Sequence, residues 1–221
     1  MAETKPRRKL AAILAADVVG FSKMMGQNED RTLNNLKSCR AITDESIENH
    51  HGRIFGSAGD SIIAEFASPV DAILAAVEFQ RNLRDRNNEL EPSDQMQFRV
   101  GLNLGDVIVE GDNLYGDGVN VAARLESLAE PGGISVSGKI HDEVRRKLDL
   151  SFESSGSQEM KNIEVLLSLD KQAKNAYVRV SPRGYDELFK NHRIFSAEIR
   201  ADYHQTGSLE WMFLPGSSTG G

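Results

Sequence analysis

The order of strand-like and helix-like segments is the feature that most restricts the folds available to this chain. Apolar runs at residues 9–16, 52–66 and 96–110 predict strands, the second of them a hairpin, because they are short and bounded by glycine or polar residues. The stretches that begin at Ser22 and Ser68 carry apolar residues at the spacing of a helix face. Together these segments predict the order βαββαβ, and therefore a mixed sheet with helices packed on it.

The segments after this core are expected to extend it. Residues 84–94, between the second helix and the third strand region, predict a polar linker. Ile140, Val144 and Leu148 recur every four residues and predict one helix. The apolar run at residues 177–180 predicts a closing strand.

The composition predicts a soluble globular protein and argues against two classes of function. The chain has 221 residues, enough for one large domain or for an ordinary domain with an extension. Its net charge of −7 argues against a nucleic-acid surface. The longest apolar run, residues 10–19, contains Asp17 and is too short to span a membrane. The single cysteine, Cys39, cannot form an internal disulfide, so we expect a buried thiol in a reducing cytoplasm.

Two aspartates follow predicted strands and lie beside glycine-containing turns. Asp17 ends the first strand, and Asp60 lies at the turn of the hairpin. If that strand and the hairpin are neighbours in one sheet, the two carboxylates converge at its rim. Hard divalent cations prefer such a site, with a few carboxylate oxygens and with water or phosphate in the remaining positions. The alternative is that each aspartate only caps its turn.

A polar pair marks the helix that is predicted to follow the Gly116–Gly118 turn. Asn120 and Arg124 are four residues apart, so both side chains leave the same face of the helix. An amide beside a guanidinium presents several hydrogen-bond donors, which suits a polyphosphate. The alternative is a surface arginine with a capping asparagine. Joined to two metal-binding carboxylates, however, the pair would complete the groups needed for phosphoryl or nucleotidyl transfer.

Four blocks of sequence resemble one enzyme family, the class III nucleotidyl cyclases. Residues 16–22 (ADVVGFS), 58–61 (AGDS), 98–106 (FRVGLNLGD) and 115–124 (YGDGVNVAAR) occur in the order and approximate spacing of that catalytic domain. The resemblance covers residues 8 to about 165 and is greatest to bacterial adenylate cyclases.

This resemblance implies a fold and an assembly. The expected fold is a ferredoxin-like α+β domain with a mixed, mainly antiparallel sheet. We expect a catalytic domain at residues 8–180 and an extension of unknown role, with a flexible end, at residues 181–221. The expected partners are the ATP substrate and a second copy of the chain, in a cytoplasmic homodimer whose active sites are shared between subunits. No nucleic acid is expected as a partner.

The resemblance also assigns roles to residues around the first aspartate. Asp17 and Asp60 match the metal-binding aspartates, with Val18 beside them, and would hold two Mg²⁺ or Mn²⁺ ions per site. The backbone of Val19, Gly20 and Phe21 would line the phosphates of ATP.

Other matched residues would act on the ribose and the phosphates. Asn120 matches the residue that orients the ribose, and Arg124 matches the residue that stabilises charge on the transferring phosphorus. Both would come from the partner subunit. Lys161 falls near the phosphate-binding lysine of the family, the alternative being a solvated surface lysine. The implied reaction converts ATP to 3′,5′-cyclic AMP and pyrophosphate.

Two positions depart from the family pattern, and both concern the base. Gly56 stands where adenylate cyclases have a lysine that reads adenine, and Asn113 stands where they have an aspartate or threonine. Asp112, next to Asn113, is a possible substitute. These departures leave two alternatives to an adenylate cyclase: a cyclase with relaxed ATP/GTP specificity, and a catalytically weak homologue that binds nucleotide and regulates a partner.

Overall fold

Helices and strands alternate through most of the described chain. The structure is a computed structural model that describes residues 7–150, 152–154, 166–169, 179–180, 199–200 and 212–213. The helices are α1 (Phe21–Gln27), α2 (Glu29–Asn49), α3 (Pro69–Asn88), α4 (Asp117–Leu128) and α5 (Gly138–Val144), with a 3₁₀ turn at Pro92–Asp94. The strands are β1 (Arg7–Val18), β2 (Arg53–Ala58), β3 (Ser61–Phe66), β4 (Phe98–Glu110), β5 (Asn113–Tyr115), β6 (Ile134–Ser137), β7 (Leu148–Asp149), β8 (Phe152–Ser154), β9 (Leu166–Leu169), β10 (Arg179–Val180), β11 (Ile199–Arg200) and β12 (Met212–Phe213).

One sheet of eight strands forms the centre of the fold. Its order is β2-β3-β1-β4-β6-β9-β8, with β5 paired to β4. Strand β1 pairs antiparallel with β3 on one side and with β4 on the other. Strands β4 and β6 run parallel, and the other pairs of this sheet are antiparallel. The predicted mixed, mainly antiparallel sheet of an α+β domain is therefore confirmed.

The side chains of β1 explain why helices cover both faces of the sheet. Successive residues of a strand point to opposite faces, and here both sets are apolar. Ala12 and Leu14 point into the larger core beneath α2, α3 and α5. Ala11 and Ile13 point to the opposite face, where they pack with Ala122 of α4. We call the face on which α4 lies the α4 face.

Glycines allow α4 to lie directly against β4. A Cβ on Gly101 would lie 2.2 Å from both the Ala122 carbonyl oxygen and the Glu126 amide nitrogen. A Cβ on Gly105 would lie 2.9 Å from the Cα of Gly118. No side chain fits at Gly101 unless the helix backbone moves, so the glycines fix the depth at which α4 sits on the sheet.

Three predicted boundaries are wrong, each for a local reason. The helix predicted from Ser22 to residue 50 is two helices, because Asn28 is extended (φ −160°) and its side chain accepts a hydrogen bond from the Arg31 amide to cap α2. Helix α3 continues to Asn88, which shortens the predicted linker. The helix predicted through Leu148 ends at residue 144, and Leu148 belongs to β7.

From residue 152 onward, the structure describes only short strands. Strand β9 pairs with β6 and β8 in the main sheet, while β10, within the predicted closing strand, pairs with β7 in a separate two-stranded sheet. The main sheet therefore ends with β9 and β8 rather than with residues 177–180. Lys161 and most of the predicted extension at 181–221 lie outside the described residues. Within the described chain, no helix is long and apolar enough to cross a membrane.

Candidate active site

The two predicted metal-binding aspartates lie side by side at one end of β1. Antiparallel pairing of β1 with β3 sets Ala16 opposite Ile62, which brings Asp17 next to the β2–β3 turn that carries Asp60. The Ser61 hydroxyl donates a hydrogen bond of 3.2 Å to Asp17 Oδ1. The Val18 amide donates one of 3.1 Å to Asp60 Oδ2. The residue after Asp60 thus bonds Asp17, and the residue after Asp17 bonds Asp60. The two carboxylates therefore converge, as predicted.

The electrostatics of this pair favour a cation. Burial, followed by the hydrogen bond and the negative charge of Asp17, raises the pKa of Asp60 from 3.8 to about 6. Two close carboxylates resist joint ionisation, and a divalent cation removes that penalty. In the described chain, no three His, Cys, Asp or Glu side chains cluster as a metal site. The pair therefore fits an ion such as Mg²⁺, which keeps water and takes phosphate oxygens as its other ligands.

Two charged residues beside this pair were not predicted from the sequence. Arg99 on β4 places Nη2 3.9 Å from Asp17 Oδ2 and Nε 3.1 Å from Glu126 Oε1 on α4. Arg99 Nε and Glu126 Oε1 form no hydrogen bond within the described chain, so their contact is an ion pair. Burial raises the pKa of Glu126, an effect that Arg99 opposes and Asp17 adds to. The sequence of β4 could have indicated Arg99, because it is an arginine on the same face of the strand as the glycines that contact α4.

The predicted ribose and transition-state residues lie on the other side of α4. Val121 and Leu125 are buried against the sheet, whereas Asn120 and Arg124 are exposed. Arg124 and Glu126 are two residues apart, which corresponds to about 200° around a helix. Glu126 faces Arg99 beside the carboxylates, so Arg124 projects away from them. Within one copy of the chain, Asn120 and Arg124 therefore do not lie beside Asp17 and Asp60.

The predicted phosphate-lining bend follows Asp17 directly. Val18 ends β1 and is buried, and the Val19 amide donates to the Gln97 carbonyl at 2.9 Å. Gly20 is left-handed (φ 72°, ψ 22°) and starts α1, whose first residue is Phe21. The left-handed conformation favours glycine, and it turns the chain sharply next to the carboxylate pair. The bend is therefore positioned as predicted, and its role toward phosphate stays a prediction.

The two predicted base-recognition positions lie on strands that are in contact. Gly56 pairs with Ile63 of β3, and Asn113 begins β5 opposite Glu110. Strands β2 and β5 are in contact. Arg53 of β2 also joins the two regions through a 2.8 Å hydrogen bond from Nη1 to the carbonyl of Asp112.

A cavity of about 710 Å³ lies away from the carboxylate pair. Its lining includes Arg8 and Asp106, at the opposite end of β1 from Asp17, and Lys139 near the start of α5. Asp17 and Asp60 are not among its lining residues. The predicted metal site at the Asp17 end of β1 therefore lies outside this cavity.

Comparison with known proteins places the chain in a family. The family model for the adenylate and guanylate cyclase catalytic domain matches residues 4–179. With this match, the fold and the paired carboxylates define a nucleotidyl cyclase catalytic domain. The chain belongs to the adenylate/guanylate cyclase family, as the sequence blocks predicted.

Individual relatives agree with this assignment. "Putative adenylate cyclase 3" of Rhizobium meliloti (strain 1021) is 44% identical over 165 residues, which are 74% of this chain and 28% of that protein. An adenylate cyclase of Glutamicibacter nicotianae is 32% identical over 56% of this chain and 29% of its own length. The chain therefore spans less than a third of these two relatives.

Solved structures show the same fold. An adenylate/guanylate cyclase/hydrolase from Silicibacter pomeroyi matches with a TM-score of 0.68 and 36% identity, over 75% of this chain and 97% of that chain. The adenylyl cyclase CyaB from P. aeruginosa matches with a TM-score of 0.66, over 77% of this chain and 98% of that chain. At 17% identity, the second match supports the fold alone.

Proposed function

We propose that this chain is an adenylate cyclase that converts ATP to 3′,5′-cyclic AMP and pyrophosphate. The observation that carries the proposal is the convergence of Asp17 and Asp60 at the end of β1, in a family of nucleotidyl cyclases. The choice of ATP is supported by the 44% identical relative, whose name is that of an adenylate cyclase.

In this proposal the carboxylates and the following bend hold the triphosphate end of ATP. Asp17 and Asp60 would hold two Mg²⁺ or Mn²⁺ ions, which would supply positive charge for the phosphates and lower the pKa of the ribose 3′-hydroxyl. The amides near Val19, Gly20 and Phe21 lie beside the phosphates. Arg99, whose Nη2 lies 3.9 Å from Asp17 Oδ2, would add positive charge beside the carboxylates that hold the phosphate-bound metal.

The chemical step is an in-line displacement at the α-phosphorus of ATP. The 3′-oxygen forms the new P–O bond and loses its proton to solvent, while the bond to the β-phosphate breaks and pyrophosphate leaves with the electron pair. Asn120 orients the ribose, and Arg124 stabilises the charge that develops on the transferring phosphorus. Lys161, in the segment outside the described residues, is proposed to bind the same phosphates.

The positions on α4 support a site shared between two copies of the chain. Asn120 and Arg124 face away from the carboxylates of their own chain, so a second copy would supply them. Phe55 and Ile63, on the part of the α4 face beyond α4, are only partly buried and offer an apolar surface for that copy. We propose a homodimer, formed by a catalytic domain at residues 8–180, with residues 181–221 as an extension.

The first test is product analysis by chromatography, with purified protein, Mn²⁺ or Mg²⁺, and ATP or GTP in separate reactions. Cyclic AMP formed faster than cyclic GMP supports the adenylate cyclase. Comparable products from both nucleotides would support relaxed specificity, which the departures at Gly56 and Asn113 favour. A folded protein that binds nucleotide and forms neither product would instead be the regulatory homologue.

The shared site is tested by mixing two inactive variants. We expect Asp17→Ala and Arg124→Ala homodimers each to lose turnover, because one lacks the metal site and the other the transition-state cation. In mixed dimers one of the two sites retains both residues, so the mixture should recover partial activity. The absence of recovery in mixtures that contain heterodimers would contradict a shared site. The control is a mixture of Asp85→Ala and Arg124→Ala that is expressed and exchanged in the same way. Asp85 is at an exposed position on α3.

A further inference from the structure

The base-recognition positions lack the cation that the family pattern places there. Gly56 has no side chain, and Asn113, an amide, carries no charge. Arg53 lies on the same strand as Gly56, three residues before it, and contacts the carbonyl of Asp112, next to Asn113.

The register of β2 puts Arg53 on the same face of the sheet as Gly56. Arg53 pairs with Glu65 and Gly56 pairs with Ile63, with an irregularity in the register between Ile54 and Gly56. Opposite residues in an antiparallel pair share a face, and residues two apart on β3 also share a face. Arg53 and Gly56 therefore project from the α4 face, roughly 7 Å apart along the strand.

Contacts hold the guanidinium of Arg53 between Glu65 of β3 and the β4–β5 turn that precedes Asn113. Its Nε donates to Glu65 Oε1 at 2.7 Å, and its Nη2 lies 2.5 Å from the same oxygen. Its Nη1 donates to the carbonyl of Asp112 at 2.8 Å, next to Asn113. These contacts run from Glu65 on β3 to the β4–β5 turn, so the guanidinium lies next to Asn113, and its strand position is two β3 residues from that of Gly56.

The charges of this cluster leave a cation facing outward. Lys9 pairs with the second carboxylate oxygen of Glu65. Burial alone would raise the pKa of Glu65, but the hydrogen bonds from Lys9 and Arg53 outweigh it and hold that pKa below its usual value. Two cations and one carboxylate give a net charge of +1. The Glu65 side chain is 10% exposed, whereas those of Arg53 and Lys9 are 45% and 38% exposed, so both cations are accessible and the guanidinium is the more exposed of the two.

The guanidinium retains donors for a ligand. It has five N–H groups, and the contacts with Glu65 and Asp112 use three of them within the described chain. The two others can donate to acceptor atoms only. Guanine offers two adjacent acceptors, O6 and N7, on one edge, whereas the same edge of adenine pairs the acceptor N7 with the N6 amino donor.

We propose that Arg53 contacts the purine base of the nucleotide, in place of the lysine that adenylate cyclases have at the position of Gly56. This inference rests on the proposed function, since it concerns the base of that substrate. Arg53 adds affinity for both purines, and it adds more for guanine because guanine can accept two hydrogen bonds. It therefore accounts for how this chain binds a base without the family's lysine, and it favours relaxed discrimination between ATP and GTP.

The test compares ligands with and without a base. Binding of ATP, GTP and inorganic tripolyphosphate, each with Mn²⁺, is measured by titration calorimetry for wild type, Arg53→Ala and Arg8→Ala. Arg8 is the matched control, because it is also an exposed arginine that pairs with a carboxylate, Asp106, on the same sheet. For Arg53→Ala we expect about tenfold weaker ATP binding, a larger loss for GTP and unchanged tripolyphosphate binding. For Arg8→Ala we expect no change with any ligand.

Second variants separate base contact from folding. Arg53→Lys keeps the positive charge but not the planar guanidinium. It should lose less nucleotide affinity than Arg53→Ala, and it should unfold at the same temperature as wild type. Adding Gly56→Lys to Arg53→Ala should restore ATP binding, since Gly56 does not have a positive φ and the new Cβ would lie 3.3 Å from the Cβ of Ile63, a close contact that a shift of a few tenths of an ångström relieves.

Three results would overturn the inference. Equal losses for ATP and tripolyphosphate would mean that Arg53 supports the fold, and no loss for either nucleotide would mean that it is only a surface ion pair. Failure of wild type to bind nucleotide would remove both this inference and the proposed function. Because the readout is binding, wild-type protein that binds ATP without turnover contradicts the proposed function alone.

Discussion

Replacing Asp60 with asparagine should stabilise the metal-free fold, although it should abolish metal-dependent activity. The pKa of Asp60 is raised from 3.8 to about 6, chiefly by burial and by Asp17. The folded protein therefore carries a penalty when this carboxyl is ionised. Asparagine removes the charge and keeps an oxygen that can accept from the Val18 amide.

The size of the effect follows from the pKa. The difference between a pKa of 3.8 and one of about 6 corresponds to about 3 kcal/mol of folding free energy, at about 1.36 kcal/mol per pKa unit. Asp60 is only partly buried, so solvent screening reduces the expected gain to about 1–2 kcal/mol. For a chain of this length that gain corresponds to an increase in Tm of about 3–6 °C.

The sign of the pH dependence is fixed by the direction of the shift. Because the folded pKa lies above the unfolded one, wild type has no penalty below about pH 4 and the full penalty above about pH 6. The advantage of Asp60→Asn should therefore grow between these values and stay constant at higher pH.

The assay is thermal unfolding with a chelator, from pH 4 to pH 8. Asp85→Asn, at an exposed position on α3, controls for loss of an acidic charge and should stay within about 0.5 kcal/mol of wild type. Adding Mn²⁺ should raise the Tm of wild type but not that of Asp60→Asn. A variant that is no more stable than wild type at pH 7.5, or whose gain does not shrink toward pH 4, would refute the reasoning.

Two further predictions concern the contact of α4 with the sheet and the N-terminal cap of α3. Gly101→Ala should lose about 1–3 kcal/mol and most turnover, because the new Cβ would lie 2.2 Å from the Ala122 carbonyl and the Glu126 amide and would displace α4; unchanged stability in chemical denaturation would contradict this. Ser68→Ala should lose about 1 kcal/mol without loss of activity at 25 °C, because the Ser68 hydroxyl accepts from the Val70 amide at the start of α3; a urea midpoint equal to that of wild type would contradict it.

The sheet and the carboxylate pair could be predicted because they depend on local patterns and one pairing rule. Short apolar runs and helical spacing set the order of elements, and adjacent elements of such an order usually lie side by side. Asp17 lies at the end of β1 and Asp60 lies in the turn just before β3, so their convergence needs only that β1 pairs antiparallel with β3.

The remaining features depend on contacts between distant parts of the chain. Arg99 and Glu126 are 27 residues apart in sequence, and they meet only because Gly101 lets α4 lie directly on β4. The break at Asn28 is local, but a single asparagine inside a helical pattern does not distinguish a cap from a surface residue. The contact between Arg53 and the Asp112 carbonyl joins strands whose proximity no sequence pattern shows.

Helix α4 has one consequence for how such an enzyme would respond to signals. Its inner side carries Glu126, which contacts Arg99 beside the carboxylates of the same chain, and its outer side carries Asn120 and Arg124. In the proposed dimer, the two sides of one helix would serve two different active sites. A small rotation of α4 would then change both sites together, so that a regulatory domain acting on a single helix could switch the whole dimer.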